Sequence, residues 1–582
     1  MSSGGRGVSR RSRGSAPSSS EADTAAAAAS AAGASAWADF FSEATADPLA
    51  ASSAGDDDNA AKASDEAVVI ASASVDEDAT REYILPILPL MANPANSNAN
   101  KATPRKKKAK MMDSTDTYPY VTPGRLAQTG TLDATVPGRT KRQMTNDYDL
   151  EEPTLLPLAT PTDEDAEDEE ETEENPKFAL IATSSTSAHS IAITASGIAY
   201  GWGRNEANQL GLMTGPCATV PLPTKLVGPW GDDPLVGAAT GKSHSVVIDA
   251  TGAAYAVGSN KCGQCGINSS IDDVTKFRRC VLAGASSDDA EIVQVSCGEQ
   301  FTVLLTSRGH IYSAGLAEYG QLGNGETGEY FIAANKLGFA NATKFERRSL
   351  FVQSEEDANI SNAKRGAMIN VPNCGEIVIC SISCGKNHTI AVEAPTTSGH
   401  IPRVFSWGCG DYGCLGHGIQ ADEYTPRFVA TLRGPLFTAN YPVKASAGSS
   451  CSMVLTKQGH VYYMGKHRQI GEATMRPSLI DALANNAHVT TSCAGGSATV
   501  FCTTRNAVTV SWGKGDTGEL GYGRGNQKSS AQPKFVDKLD SCMVTNIACG
   551  YGHTLFLVKD EDAEDAKALE KLAKLEVEQV TL

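Results

Sequence analysis

The stretch Ser187-Ala-His-Ser-Ile-Ala-Ile-Thr-Ala-Ser-Gly197, continued by Tyr200-Gly-Trp-Gly203 and Asn208-Gln-Leu-Gly211, decides the fold, because its pattern returns five more times. With His189 as anchor, the equivalent positions are His244, Phe301, His388, Cys451 and Ala498. A turn residue stands eight positions on, at Gly197, Gly252, Gly309, Gly459 and Asn506, and eleven on at Gly399. Asn is a reasonable substitute, since it enters the left-handed region more easily than most residues. A second glycine follows at fourteen (Gly203, Gly258, Gly315, Gly465), fifteen (Gly513) or twenty (Gly408). A third comes eight residues later at Gly211, Gly266, Gly323, Gly416 and Gly521, and six later at Gly471.

Ser190-Ile-Ala-Ile-Thr and Ile198-Ala-Tyr-Gly-Trp read as two short strands joined by a glycine turn. No such unit can bury its own apolar face, so copies must stack or close radially. The near period-two alternation and frequent glycine disfavour helical solenoids, and four-stranded blades of a β-propeller account for strands, turns and period together. A seventh start appears at Gly550-Tyr-Gly-His553-Thr-Leu-Phe-Leu-Val558, with no second glycine at position 567. The expected class is all-β: a seven-bladed propeller with a disordered N-terminal tail and a short C-terminal helix. Residues 178–560 form six full repeats and a partial seventh, and 119–177 supply the closing strand or strands plus an acidic loop. The best closing candidate runs from Pro123-Gly124 to Gly130-Thr-Leu-Asp133. Residues 561–582, rich in Ala, Glu, Lys and Leu, read as a peripheral helix with Leu569, Leu572 and Leu575 on one side.

Gly241-Lys-Ser-His-Ser245, Gly385-Lys-Asn-His-Thr389, Gly320-Gln-Leu-Gly323, Ser406-Trp-Gly408 and Gly550-Tyr-Gly-His-Thr554 resemble the repeat of the Regulator of Chromosome Condensation family, over about 178–560. The founding member is the guanine-nucleotide exchange factor for the small GTPase Ran. The resemblance therefore implies a nuclear, chromatin-associated exchange factor that accelerates GDP release with no covalent catalysis and no cofactor. The alternative is a non-catalytic scaffold of the same fold binding protein or chromatin partners. In the Ran factor one face presents acids in the second and third repeats and histidines in the fifth and seventh. Here those places hold Lys242, Glu299 beside Gln300, Cys451 and His553.

The charge of −17 over 582 residues argues against a surface that coats nucleic acid throughout. No run of 18 apolar residues occurs, so no membrane partner is expected, and the protein is read as a monomer. Most of the fifteen cysteines, Cys297, Cys384, Cys493 and Cys549 among them, fall at recurring strand sites and read as reduced core thiols. Cys262-Gly-Gln-Cys265 has half the spacing of a zinc site but lacks a partner pair, and no metal is expected.

Residues 1–118 are dominated by Ala, Ser, Gly and Asp and read as a disordered tail. Within it Arg6, Arg10, Arg11 and Arg13 are candidate DNA or chromatin contacts. Arg105, Lys106, Lys107, Lys108 and Lys110 place five cations in six positions, a pattern suited to a nuclear import receptor. Asp163–Glu174 is an acidic surface loop. About 50 residues, Asn324–Glu376, follow the third copy and carry Arg347, Arg348, Lys364 and Arg365, a candidate partner contact. The loops before each anchor converge on one face of a ring. The exchange-face candidates are His553, Glu299 and Gln300, and the partner-binding candidates are Lys242, Lys386, Asn387, Ser449 and Tyr551. His189, His244 and His388 read as braces hydrogen-bonded to neighbouring backbone, and Trp202, Trp407 and Trp512 as blade core.

Overall fold

The computed structural model describes residues 122–132, 149–159, 176–212, 219–285, 291–325, 327–333, 336–348, 377–395, 400–467, 472–484 and 490–575. The expected tail with its two basic motifs, the acidic run, Lys364 and Arg365 lie outside them. Seven blades follow one another around a ring, with blades 7 and 1 joined into one nine-stranded sheet through the Gly124–Phe178 pair. Blade 2 is typical, running from inside to outside as Leu235–Thr240, His244–Asp249, Ala254–Ser259 and Asp273–Arg279. The anchor begins the second strand and pairs with the second glycine at the end of the third: His189 with Gly203, His244 with Gly258, Phe301 with Gly315, His388 with Gly408 and Cys451 with Gly465. These glycines need positive φ; at Gly203, with φ of 98°, a Cβ would also lie 2.5 Å from the Ala188 carbonyl oxygen.

The sixth copy is shifted from the sequence reading by one residue. Its anchor is Thr499, which pairs with Gly513 at the common spacing of fourteen, while the Ala498 carbonyl receives the Lys514 N–H as Ala188 receives that of Arg204. The turn residue is accordingly Ala507, at φ 57°, and not Asn506. Nothing in the side chain of alanine advertises a left-handed position, so the asparagine next to it drew the alignment.

The seventh blade is completed from the other end of the chain. Val544–Cys549 and His553–Lys559 are followed outward by Gly124–Thr131 and Asp149–Leu155. Gly124 to Gly130 pair in unbroken register with Lys559 to His553. Gln128, buried in this strand, accepts from the Trp202 indole N–H at 2.9 Å and donates to the Thr131 carbonyl, tying the closing strand to blade 1. Lys528–Glu151 and Lys538–Glu152 ion pairs tie the outer strand to blade 6.

Seven apolar clusters hold the ring, and each spans the seam between two successive blades. The Trp202, Trp407 and Trp512 side chains are buried in them. The expected C-terminal helix is short, Ala563–Leu569, with an Asp562–Asp565 capping box. It stops well before 582: Ala573–Lys574 turns into a two-residue strand parallel to Thr154–Leu155. Leu569 and Leu572 are buried, covering the blade 6–7 cluster.

The insertion Asn324–Glu376, read as a candidate partner contact, is in part regular. Ala342–Arg348 is the outer strand of blade 3, and Tyr330–Ala333 pairs with Lys336–Gly338 as a separate hairpin. Arg348 is buried, with Nε donating to Ser313 Oγ at 2.6 Å, which removes it from any partner surface.

Candidate functional site

The loops between first and second strands gather at the anchor end of the ring. Neighbouring loops are laced by backbone hydrogen bonds: Lys242 N–H to Glu299 O, Glu299 N–H to Lys386 O, Ser449 N–H to Gly496 O and Tyr551 N–H to Ser187 O. Glu299 is held between two cations of adjacent blades, with Lys242 Nζ 2.6 Å from Oε1 and Lys386 Nζ 3.6 Å from Oε2. Its carboxylate is thus already paired on both oxygens, and the three-blade cluster of two lysines and one glutamate keeps a net charge of +1. Gln300 receives the Leu316 N–H on its carbonyl and the Cys262 thiol on Oε1 at 3.8 Å. Asn387 receives the Cys409 N–H on its carbonyl, and Tyr551 stands half exposed at the edge of the blade 7–1 seam. Lys242, Glu299 and Lys386 are thus in direct contact, while Gln300, Asn387, Ser449 and Tyr551 stand in loops of the same face without contacting that cluster through their side chains among the described residues.

His553 is not on that face. It is buried, with Nε2 2.8 Å from Ser190 Oγ of blade 1, and it belongs to a series. His189 Nε2 meets Ser245 Oγ at 2.8 Å, His244 Nε2 meets Thr302 Oγ1 at 2.9 Å, and His388 Nε2 meets Ser452 Oγ at 2.9 Å. In each case the imidazole of one blade reaches the hydroxyl just after the anchor of the next. The expected backbone brace is thus a side-chain bolt across the seam. Ser245 and Thr302 donate onward to the Gln209 and Gln264 carbonyls, so they accept from the ring N–H, which places the proton on Nε2 of His189 and His244. Burial holds His189 and His244 down to about 3, and His388 and His553 to about 4, so all four are neutral near pH 7. Where the anchor is Cys451, the next blade offers Val500 and no hydroxyl: bolt and receptor are lost together.

Buried thiols are inert for the same reason. Desolvation pushes Cys384 and Cys451 up to about 12, far from a reactive thiolate. Among the described residues no group of three or more His, Cys, Asp or Glu side chains converges in a way that could hold a metal.

A feature that sequence reading passed over rises from the same end of the ring. The hairpin Tyr330–Ala333/Lys336–Gly338 leaves blade 3 between Gly315 and Ala342, the end at which Gly315 pairs with the anchor Phe301. It carries Phe331 78% exposed, Tyr330 and Ile332 each 53% and Leu337 47%. The only sequence signal was Tyr330-Phe-Ile332 between polar segments, too short to separate a core strand from an exposed one.

The seven glycine-anchored blades and their histidine bolts define a β-propeller of the repeat class that the sequence resembles. Residues 157–556 match the model of the RCC1-like domain. The chain belongs to that family. It is 32% identical over 393 residues to Protein RCC2 homolog of Xenopus laevis, covering 67% of this chain and 71% of that protein. It is 26% identical over 314 residues to Regulator of chromosome condensation of Mus musculus, covering 48% and 70%. Among solved structures it is similar in fold to Prp20p of Saccharomyces cerevisiae, described with binding properties to Gsp1p and histones, with a TM-score of 0.53 at 18% identity, covering 77% and 94%.

Proposed function

We propose that this chain is a nuclear docking propeller that captures protein partners, chromatin among them, on the anchor-end face and works without nucleotide exchange. The observation that carries this reading is the exposed apolar hairpin standing on the same end of the ring as the convergent loops. Four large apolar side chains exposed on one small hairpin, with no described residue burying them, support a contact surface. Beside it the one acid of the exchange-face candidates, Glu299, is already held by Lys242 and Lys386, and His553 lies in a seam. The name of a relative, Regulator of chromosome condensation, and the histone binding in the description of the yeast structure support a chromatin partner. Arg6, Arg10, Arg11 and Arg13 are proposed to add phosphate contacts, and Arg105, Lys106, Lys107, Lys108 and Lys110 to load an import receptor.

The second reading is exchange on Ran, favoured by the Gsp1p binding in the description of the same yeast structure and by the position of Glu299 on the shared face. One experiment separates the two. Release of fluorescent GDP from Ran is measured with the full chain, alongside capture of nucleosomes by the wild type and by Phe331→Asp. The docking reading expects no acceleration at micromolar protein and about tenfold weaker nucleosome capture by Phe331→Asp. Acceleration by orders of magnitude, weakened by Glu299→Ala, replaces it with exchange.

A further inference from the structure

The fourth strand of each blade has an outer edge, and such an edge must be covered or blunted or it pairs with other chains. One register position does this around the ring. Two residues before the partner of Tyr200, Phe405, Tyr462, Val510 and Ala127 stand Pro223, Pro426, Pro477, Pro533 and Pro153. Proline is tolerated there because the backbone nitrogen faces outward, away from the ladder. In blades 2 and 3 the position holds Phe277 and Phe345, whose rings are buried against Gly211 and Gly266 of the preceding blade.

Blade 3 shows what that outward N–H does when it is free. Phe345 N–H donates to the Val281 carbonyl at 2.9 Å, and Leu282–Ala283 adds to the edge as a fifth, parallel strand. Blade 2 has neither device. Asp273–Arg279 pairs with Ala254–Ser259, with a register break between Val274 and Arg278, and no other strand of the described residues pairs with it. Its exposed side chains include Lys276, Arg278 and Arg279, the last two on opposite faces of the sheet. Asp272 and Asp273, the acids of this edge, sit at the opposite end of the strand.

We propose that the outer edge of blade 2 is a strand-addition site for an extended acidic peptide of a partner protein. The backbone of Asp273–Arg279 supplies donors and acceptors to the incoming strand, as Phe345 supplies one to Val281. Carboxylates on alternate residues of the peptide lie on one face of the extended sheet and meet Arg278 there, while Arg279 adds positive charge on the other face, which fixes the sign of the partner. This edge lies on the rim and its occupancy does not depend on the anchor-end face.

The test is fluorescence anisotropy of the full chain with a labelled eight-residue peptide alternating Glu and Val. Two further peptides run beside it: one with Lys for Glu, and one N-methylated at every second amide. Saturable binding is expected below about 100 µM, weakened about tenfold in the Arg278→Glu/Arg279→Glu variant and about tenfold by N-methylation. The variant alters only exposed side chains, and its thermal melt verifies the fold. The proposal is overturned if the acidic peptide does not bind, if the Lys peptide binds as well, if charge reversal changes nothing, or if the N-methylated peptide binds equally. The last result would mean charge attraction without strand pairing.

Discussion

The histidine bolts show how one side chain can be read two ways. A histidine in a loop-rich ring suggests acid–base work, and its recurrence at one structural position suggests architecture. His553 decides for architecture: its ring nitrogen is spent on Ser190 and its charge is suppressed by burial. His553→Ala or His388→Ala should therefore lower stability by ~2–4 kcal/mol, leaving Ser190 or Ser452 without its partner. Glu299→Ala, on the half-exposed lysine cluster, should change stability by less than ~1 kcal/mol. Chemical denaturation of the variants measures both. The pH dependence has a definite sign. The unfolded chain takes up protons on these histidines near pH 6.5, while the folded ring resists until about 3 to 4. Stability is therefore complete above pH 6.5 and falls below it by about 1.4 kcal/mol per pH unit for each bolt. A denaturation series between pH 7.5 and 5 should show this slope shrink by one bolt's worth in His244→Gln. The bolts were half legible in sequence. The recurring His was visible, but its partner is Ser or Thr in the following copy, and only the register between copies makes that pairing visible.

At the scale of the element, the closing strand concentrates the most consequence in the fewest residues. Gly130, at φ 89°, faces the Gly552 carbonyl so closely that a Cβ would stand 2.3 Å from its oxygen. Gly130→Ala should cost at least ~2 kcal/mol through both strain and the forced shift of blade 7. Gln128→Ala, which leaves the buried Trp202 indole N–H unpaired, should cost ~1–3 kcal/mol; thermal melts compare the two. Asp562→Ala, removing the cap of a peripheral helix, should cost only about 1 kcal/mol. The glycine signature made Gly124–Thr131 readable despite its distance from the other copies, because Gly130 fills the place of Gly203. Its outer neighbour Asp149–Leu155 had no such marker. Likewise the repeat spacing located every blade except for the single-residue slip at Thr499, where an alanine takes the left-handed turn. The hairpin 330–338 was illegible, since no repeat constrains an insertion and its apolar residues face outward against the usual pattern.

For the whole molecule, the ring has no blade whose loss leaves the others intact, because every apolar cluster belongs to two blades. An open stack of repeats unravels in steps, whereas this closed one should unfold in a single transition. Circular dichroism and tryptophan fluorescence are expected to give the same denaturation midpoint, and separated midpoints would mean a seam that opens early. The seam most exposed to that fate is between blades 5 and 6, where Cys451 and Val500 replace bolt and receptor.

The pairing of Gly124–Thr131 with His553–Lys559 also sets a clock. The two strands are separated by about 430 residues of chain, so a ribosome adding roughly 5–20 residues per second makes the first strand tens of seconds before its partner exists. Throughout that interval the earliest strand of the propeller has its outer neighbour Asp149–Leu155 to pair with, but its inner edge depends on chaperones or on its own polarity to avoid mispairing. A message cut short just before codon 553 would yield nearly the entire sequence and yet leave the ring open.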